Sequence, residues 1–288
     1  MRTNHKLSTY DHISQFNRPL IRWVGGKRLI VPKLLDLLPK TFGTYFEPMI
    51  GSGALFFSLR PKRAVLGDIN PELINFYKVI KDNHDGFYRA VQKLRASKRN
   101  YYTMRVSKPV SPLGKAVRFF YLIRLSWNGL YRVNRDGEFN VPFGGRCPED
   151  LIAIQVILNA ADALRKARLV GGDFEKTTAI ARAGDLVYLD PPYPKGAVAD
   201  NGFDRYHKTK FTLDEHKRLF AHARRLANRG VYVLLTEAPT ERIIGLYDGE
   251  FNIQLVKSQS LIAADCEFRG SVNEAVITSY KVIESIQE

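Results

Sequence analysis

Apolar and polar positions in the first third of the chain alternate between strand-like and helical spacing. After a polar arm over residues 1–18, short apolar segments that predict strands are each followed by a segment that predicts a helix. The predicted elements are a helix over Leu29–Leu38, a strand over Thr44–Glu47, a helix over Gly53–Leu59, a strand over Ala64–Leu66 and a helix from Pro71 to about Lys81. This alternation is typical of a parallel sheet covered by helices.

The middle of the chain, residues 84–166, has helical spacing and loops without a convincing series of strands. Ser111-Pro112 begins a predicted helix that runs to about Trp127, and a second helix is predicted from Glu149 to about Lys166. Residues 128–148, between these helices, are rich in Gly, Asn and Pro and therefore predict a long loop.

Strand patterns return in the last part of the chain. The predicted elements here are a strand over Leu186–Leu189, a helix from the capping box at Thr212 to about Asn228, and strands over Val231–Leu235, Phe251–Val256 and Ala275–Tyr280. The simplest organisation is an α/β domain made of residues 1–83 and 167–288, interrupted by a helical domain of residues 84–166.

The charge of the chain points to a class of partner. Its 288 residues include 44 Lys and Arg against 29 Asp and Glu, a net charge of +15. Such a surface attracts polyanions, of which nucleic acid is the commonest; a lysine-rich surface that serves only solubility is the alternative. Cys147 and Cys266 are too few for a disulfide framework. We expect a cytoplasmic protein without a membrane partner, because no signal-like segment or apolar run of about 20 residues is found.

The strongest chemical pattern is Asp190-Pro191-Pro192-Tyr193, directly after a predicted strand. In α/β sheets, sites form at the carboxyl ends of strands. The prolines stiffen the turn and lack backbone donors, so Asp190 and a proline carbonyl can accept from the two hydrogens of a base amino group. Tyr193 offers a flat face on which an extruded base can stack. The alternative is a rigid strand-exit turn with Asp190 as a cap.

A second pattern, residues 46–53, reads Phe-Glu-Pro-Met-Ile-Gly-Ser-Gly and predicts a strand, a tight turn and a helix start. The turn alone is weak evidence for a ligand. It gains weight from Asp68, which ends the next predicted strand, where an acid suits a ribose diol. Asp68 as a cap of the following helix is the alternative.

Two weaker patterns flank these. In Trp23-Val24-Gly25-Gly26-Lys27, the lysine suits a carboxylate, or the segment is a buried Trp beside a surface Lys. In residues 171–174, Gly-Gly-Asp-Phe, Asp173 and Phe174 suit an adenine ring, or form a helix cap and a core residue.

The helical insertion carries Ser-Trp-Asn-Gly-Leu-Tyr-Arg at 126–132 and Gly-Glu-Phe-Asn-Val-Pro-Phe-Gly at 137–144. Arg and Asn read base edges through paired hydrogen bonds, and Trp and Leu wedge into base stacks. An ordinary surface loop is the alternative. The histidines show no metal spacing, so we expect no metal site.

These motifs and their order resemble the Dam-type (D12) class of DNA adenine methyltransferases over roughly residues 20–280. The resemblance implies a Rossmann-like methyltransferase sheet that uses S-adenosylmethionine, with residues 84–166 as a target-recognition domain that binds double-stranded DNA. It also implies a soluble bacterial, archaeal or phage enzyme, and leaves open a separately acting restriction endonuclease as partner.

The resemblance assigns residues by motif. The implied cofactor residues are Trp23, Lys27, Glu47, Gly51, Gly53, Asp68, Asp173, Phe174 and Asp190, and the implied catalytic residues are Asp190, Pro191, Pro192 and Tyr193. The implied DNA contacts, in members that often recognise GATC, are Arg22, Trp127, Asn128, Leu130, Arg132, Pro142 and Arg146. Three positions depart from the family pattern: Arg22 replaces a frequent Lys, Trp127 a frequent Tyr and Arg146 a frequent aromatic. The segment 258–270 also lacks the usual Ser/Asn/Gly-rich pattern.

The expected reaction is direct methyl transfer to the 6-amino group of a flipped adenine, without a covalent enzyme intermediate. The alternatives are methylation of the cytosine 4-amino group or of an RNA base, and a non-catalytic DNA-binding relative. A nicotinamide oxidoreductase has only the Gly-x-Gly turn in its favour.

Overall fold

The computed structural model describes residues 19–193, 211–259 and 271–282. Within these ranges the strands form one sheet, and they are β1 (Tyr45–Glu47), β2 (Ala64–Asp68), β3 (Ala167–Gly171), β4 (Leu186–Leu189), β5 (Tyr232–Glu237), β6 (Asn252–Gln259) and β7 (Ser271–Thr278). The order across the sheet is β3-β2-β1-β4-β5-β7-β6. The first five are parallel, and β7 runs antiparallel to both β5 and β6. The Rossmann-like α/β fold expected from the sequence is confirmed.

Helices connect and cover these strands. They are α1 (Val31–Asp36), α2 (Ala54–Leu59), α3 (Pro71–Gln92), α4 (Lys98–Val106), α5 (Pro112–Leu125), α6 (Ile154–Leu164), α7 (Phe174–Thr178), α8 (Leu213–Asn228) and α9 (Glu241–Tyr247). Among the helices that the structure describes, none has the length and apolar character needed to cross a membrane.

The central strands are apolar at almost every position because both faces of the sheet are covered. Successive residues of one strand therefore enter different cores. Tyr45 and Tyr188 pack into the core on one side, together with α3 and α5, whereas Phe46 and Val187 pack into the core on the other side, with α8. Because these strands are parallel, their carboxyl ends lie at one edge of the sheet, and packing on both faces of the sheet fixes the strand backbones.

Helix α3 (Pro71–Gln92) spans the predicted boundary between the α/β domain and the helical insertion. The backbone of α3 continues past Lys81 but leaves helical geometry at Asn83, where φ is −149° and ψ is 44°. After this kink the helix packs on α5 through aromatic contacts, such as Phe87 with Phe120 at a centroid distance of 5.4 Å. The kink lies at the boundary predicted between residues 83 and 84, and the two-domain division itself stays a prediction.

Several predicted elements differ from the observed ones. Strand β3 and helices α4 and α9 were not predicted. Strand β3 begins at Ala167, directly after the predicted end of the second insertion helix at about Lys166. The second insertion helix begins at Ile154 rather than Glu149. Its N-cap, Ala153, makes no side-chain capping bond, so no polar signal marks the start. Strand β6 ends later than predicted, at Gln259, and strand β7 begins earlier than predicted, at Ser271.

Candidate active site

Four carboxylates gather where the parallel strands end. Glu47 ends β1, Asp68 ends β2, Asp190 follows β4 and Glu237 ends β5. Since these four strands are consecutive in the sheet, in the order β2-β1-β4-β5, their carboxyl ends form a single acidic edge. The sequence patterns at residues 46–53, 68 and 190–193 are therefore brought together, as the alternating pattern of strands and helices predicts.

The turn after β1 is built on glycine. Gly51 has φ of +47° and Gly53, the N-cap of α2, has φ of +68°. A Cβ atom at Gly51 would lie 2.7 Å from Cδ1 of Trp23, so the turn and the indole ring are in close contact. The Tyr77 hydroxyl donates to the Gly51 carbonyl at 2.8 Å and anchors the turn to α3. Trp23 is thus placed at the glycine turn, a contact that the sequence did not predict.

Asp68 closes the other side of this turn. Its carboxylate accepts from the Gly51 amide at 3.1 Å and from the Asn70 amide at 2.9 Å. Burial raises the pKa of Asp68 to about 6, although the backbone hydrogen bonds from Asn70, Gly51 and Ile69 oppose this. Asn70, not Asp68, caps α3. The neighbouring Ile69 is exposed at 48%, an apolar surface that sequence reasoning missed.

Glu47 is more deeply buried than Asp68, and this burial favours its protonated form. Burial raises its pKa to about 8, while a hydrogen bond from the Tyr45 hydroxyl at 2.8 Å and one from the Phe56 backbone oppose the shift. The nearby charge of Asp190 raises the pKa further. The protonated form of Glu47 is therefore favoured more strongly than that of Asp68.

Lys27 is the buried cation of this edge. Its Nζ lies 2.9 Å from Oδ1 of Asp190 and 3.9 Å from Oε2 of Glu274, and it donates to the Gly25 carbonyl at 2.8 Å. Burial lowers the pKa of Lys27, but Asp190 and Glu274 together outweigh this, so the net pKa is raised and the ammonium persists. The expected contact of Lys27 with a cofactor carboxylate stays a prediction, since here Lys27 pairs with Asp190.

The Pro-Pro-Tyr segment holds Tyr193 against the same cation. The Tyr193 ring lies 4.5 Å from Nζ of Lys27, and its hydroxyl donates to Oε2 of Glu274 at 3.0 Å. Pro191 is buried and Pro192 is exposed. Glu274, on β7, was missed in the sequence because no local pattern connects it to residues 190–193.

Asp173 and Phe174 are placed differently from the expected adenine site. The Asp173 carboxylate caps α7 and accepts two hydrogen bonds from Arg218, at 3.1 and 2.7 Å. Burial raises the pKa of Asp173, but the bonds from Arg218 and from the Glu175 backbone outweigh it and lower the pKa overall. The Arg218 guanidinium also covers the Phe174 ring at 4.2 Å. This structure therefore has both residues engaged with Arg218, which favours the cap-and-core alternative.

Trp23 connects this edge to the helical insertion. Its ring stacks on Tyr131 with centroids 5.6 Å apart and planes 21° apart. The Tyr131 hydroxyl donates to Oε2 of Glu72 at 2.7 Å, in the first turn of α3. The loop that carries the predicted DNA contacts thus rests on the same indole ring as the glycine turn.

The loop after α5, residues 126–146, is shaped by backbone hydrogen bonds. The Trp127 amide donates to the Pro142 carbonyl at 3.0 Å, and the Gly144 amide donates to the Leu125 carbonyl at 2.8 Å. The buried Tyr101 hydroxyl of α4 donates to the Val141 carbonyl at 3.0 Å. These bonds join the two motifs of the insertion side by side and fix their main chain.

Most of the expected DNA contacts project from this frame. Asn128, in left-handed geometry with φ of +53°, Pro142 and Arg146 are exposed, Trp127 is 42% exposed, and Arg132 donates from Nε to Asn140 at 2.8 Å. The exposed Arg22 packs its side chain against Gly129 and so joins the loop. Leu130 differs from the expectation: its side chain is only 5% exposed and packs inside the protein.

The sequence of the chain is similar to those of known proteins. The model of the D12 class of N6 adenine-specific DNA methyltransferases matches residues 23–262. The Type II methyltransferase M1.LlaDCHI of Lactococcus lactis subsp. cremoris is 34% identical, over 91% of this chain and 95% of that protein. The Type II methyltransferase M.MjaIII of Methanocaldococcus jannaschii is 31% identical, over 91% of this chain and 99% of that protein. The DNA adenine methylase of Escherichia coli is 32% identical, over 92% of this chain and 96% of that protein.

Proposed function

Because the chain belongs to the D12 class of N6 adenine-specific DNA methyltransferases, we propose that it methylates the 6-amino group of adenine within a short duplex sequence containing GATC, with S-adenosylmethionine as donor. The observation that carries the chemistry is the position of Asp190. It begins the Pro-Pro-Tyr turn at the end of β4, a central strand that pairs with β1, the strand that leads into the glycine turn.

The residues present fit S-adenosylmethionine. Each Asp68 oxygen accepts one backbone hydrogen bond and keeps a lone pair for a ribose hydroxyl. Ile69 offers an apolar surface for the adenine ring, and the glycine turn allows close approach of the backbone. The acidic edge, with Lys27 as its buried cation, suits a positively charged sulfonium. When bound, this cofactor supplies a methyl group already activated for transfer.

The chain's own residues position the target amine. Asp190 accepts one amine hydrogen and a carbonyl of Pro191 or Pro192 accepts the other, which directs the nitrogen lone pair toward the methyl group. Tyr193 stacks on the flipped base and is held in place by Glu274. Lys27 balances the charge of Asp190 and holds its Oδ1 atom at 2.9 Å. Catalysis then comes mainly from positioning and from fixed electrostatics.

The recognition loop reads the sequence around the target. Arg22 and Arg132 suit guanine, Asn128 suits adenine, and Trp127, which is 42% exposed, suits a wedge into the base stack. Pro142 and Arg146 line the same exposed surface, whereas the buried Leu130 supports the loop from below. The names of the Type II relatives favour a cognate restriction endonuclease that acts separately, and a DNA substrate places the enzyme at the nucleoid of a cell or of a phage-infected host.

A plasmid test decides both the base and the sequence. The gene is expressed from a plasmid in a host that lacks adenine methylation, and the plasmid is sequenced with detection of modified bases. We expect methylated adenine in every GATC site and none with the Asp190→Ala variant. A methylated-adenine motif without GATC rejects the sequence assignment alone. Modified cytosine, or an unmodified plasmid from a folded and cofactor-binding protein, rejects the proposed reaction.

A further inference from the structure

Asp190 is held from behind by a pair of buried hydroxyl groups. The Thr236 hydroxyl, on β5, donates to Oδ1 of Asp190 at 2.7 Å. The Tyr188 hydroxyl lies 3.0 Å from the Thr236 oxygen. Tyr188 precedes Asp190 by two positions along β4, so both side chains are on one face of the sheet. The two strands are paired in register, with Tyr188 opposite Leu234, which brings Thr236 level with Asp190.

The direction of these hydrogen bonds follows from the available protons. A threonine hydroxyl carries one hydrogen, and an ionised carboxylate carries none. Because Thr236 uses its hydrogen on Asp190, the Tyr188 hydroxyl must donate to Thr236. Tyr188 is 2% exposed and Thr236 is 0% exposed, so neither hydroxyl exchanges its partner for water. The result is a directed chain from Tyr188 to Thr236 to Asp190.

This chain decides which oxygen of Asp190 faces the substrate. Oδ1 accepts from Thr236 on one side and from Lys27 on the other. Within the described residues, Oδ2 has no hydrogen-bond partner, although the carboxylate is only partly exposed. Rotating the carboxylate to exchange the two oxygens would break both bonds to Oδ1. Asp190 is therefore fixed with Oδ1 occupied, while no residue that the structure describes occupies Oδ2.

We propose that Tyr188 and Thr236 are positioning residues that lock the Asp190 carboxylate so that Oδ2 is presented to the target amine. This inference rests on the proposed role of Asp190 as acceptor. Neither hydroxyl touches the substrate, and both act through Asp190. A chemical step that depends on alignment loses rate when its acceptor can rotate, whereas binding of DNA and cofactor does not depend on that rotation.

The test uses three variants that change hydroxyl groups with little change of shape: Thr236→Val, Thr236→Ser and Tyr188→Phe. Single-turnover methylation of duplex DNA, KM for DNA, affinity for S-adenosylhomocysteine and Tm are measured for each. For Thr236→Val we expect about a tenfold or larger loss of rate, the size typical of a hydrogen bond to a charged group, with KM and cofactor affinity within about twofold. Thr236→Ser restores the rate, and Tyr188→Phe has the smaller effect of the same kind.

The matched control is Thr278→Val, a buried threonine on β7 whose hydroxyl donates to the Tyr280 carbonyl. We expect it to lower Tm without lowering the rate. If Thr236→Val and Tyr188→Phe also lower only Tm, the positioning role is overturned. If Thr236→Val does not fold, the other two variants decide. A normal rate in Thr236→Ser together with a reduced rate in Tyr188→Phe supports the positioning role. A normal rate in Tyr188→Phe overturns the positioning role.

A second background separates this inference from the proposed function. In an Asp190→Ala protein, Thr236→Val should change the residual rate no further, because its effect passes through Asp190. An additional tenfold loss in that background overturns the inference. Near-normal turnover of Asp190→Ala itself overturns the proposed function instead.

Discussion

Two regions of the molecule differ in the groups that fix their structure. One is the strand-end site, formed by the carboxylates at the ends of β1, β2, β4 and β5, and the other is the recognition loop, residues 126–146. At the strand ends, side chains themselves carry the hydrogen bonds: Asp68 and Asp190 each accept two, and Lys27 is buried between acids. In residues 126–146 backbone amides and carbonyls pair with one another across the loop, and exposed side chains such as Asn128 project into solvent. A substitution in the strand-end site removes a side chain that fixes its neighbours. A substitution of an exposed side chain in the recognition loop leaves the backbone hydrogen bonds of the loop in place.

The difference also appears in the electrostatics. Burial raises the pKa of Glu47 to about 8 and of Asp68 to about 6, so desolvation disfavours the charged forms of both carboxyl groups. The recognition loop is basic and exposed, and its charges are solvated and easily screened. Substitutions at the strand ends should therefore remove activity, and substitutions in the loop should change which DNA is methylated or how salt affects binding.

The largest effect is expected at Asp190. Asp190→Ala removes the proposed acceptor of the target amine and leaves Lys27 without its closest acid, so turnover should fall by roughly 10²- to 10³-fold. The measurement is the single-turnover methylation rate of duplex DNA, with Asp248→Ala, an exposed aspartate far along the chain, as the control. A folded Asp190→Ala protein with near-normal turnover would contradict the assigned role.

The next effect concerns cofactor affinity. Asp68→Ala should weaken binding of S-adenosylhomocysteine by about tenfold or more, as for a lost hydrogen bond to a charged group, with DNA binding retained. Because the pKa of Asp68 is raised to about 6, affinity of the unaltered protein should fall as the pH drops through 6, and the variant should lack that decline. Calorimetric titration between pH 5 and about 8 measures both.

The control for this prediction is Asp85→Ala, an exposed acid later in α3. It should leave both the affinity and its pH dependence unchanged. An unaltered affinity in Asp68→Ala would mean that the cofactor lies elsewhere.

The fold was most predictable where a local signal coincides with an element. Asn70-Pro71 marks the start of α3, and Thr212 marks the start of α8 with a hydrogen bond to the Glu215 amide. Strand β3 has no such signal: it lies at the sheet edge, is only partly buried and follows α6 almost without a loop. Helix α4 was missed because its only buried residue is Tyr101, so no apolar stripe indicates a helix.

The same distinction applies to the site. Lys27, Asp68 and Asp190 were found because each lies in a contiguous motif. Thr236 and Glu274 act on Asp190 and Tyr193 from strands that are distant in sequence, and only the order of strands in the sheet brings them close. Arg218, which engages Asp173, lies on α8 and has no sequence pattern that connects it with residues 171–174. Side-chain pairing across the sheet is therefore what the sequence alone could not supply.

In the recognition loop, Arg132→Ala should relax sequence choice at one base position. A paired contact to guanine contributes about 1–3 kcal/mol of discrimination, so substituted sites should gain relative to GATC by roughly tenfold or more. Arg135→Ala is the matched control, because Arg135 carries the same charge in the adjoining turn of residues 134–137. Competition between duplexes that differ at one base pair measures the ratio. A uniform loss across all duplexes in Arg132→Ala would assign it to the phosphate backbone.

The smallest effect is expected at Lys115, an exposed residue in the first turns of α5. If it contacts phosphate, Lys115→Ala should weaken binding of every sequence alike and reduce the salt slope by about one unit, because one fewer counterion is released. Lys115→Arg keeps the charge and should keep the slope. Titrations of GATC-containing and GATC-free duplexes over a range of salt measure this. A change confined to GATC duplexes would place Lys115 among the residues that read sequence, and an unchanged slope would place α5 away from the DNA. The first result would extend the proposed sequence-reading surface from the recognition loop to α5, and the second would remove α5 from the proposed DNA-binding surface.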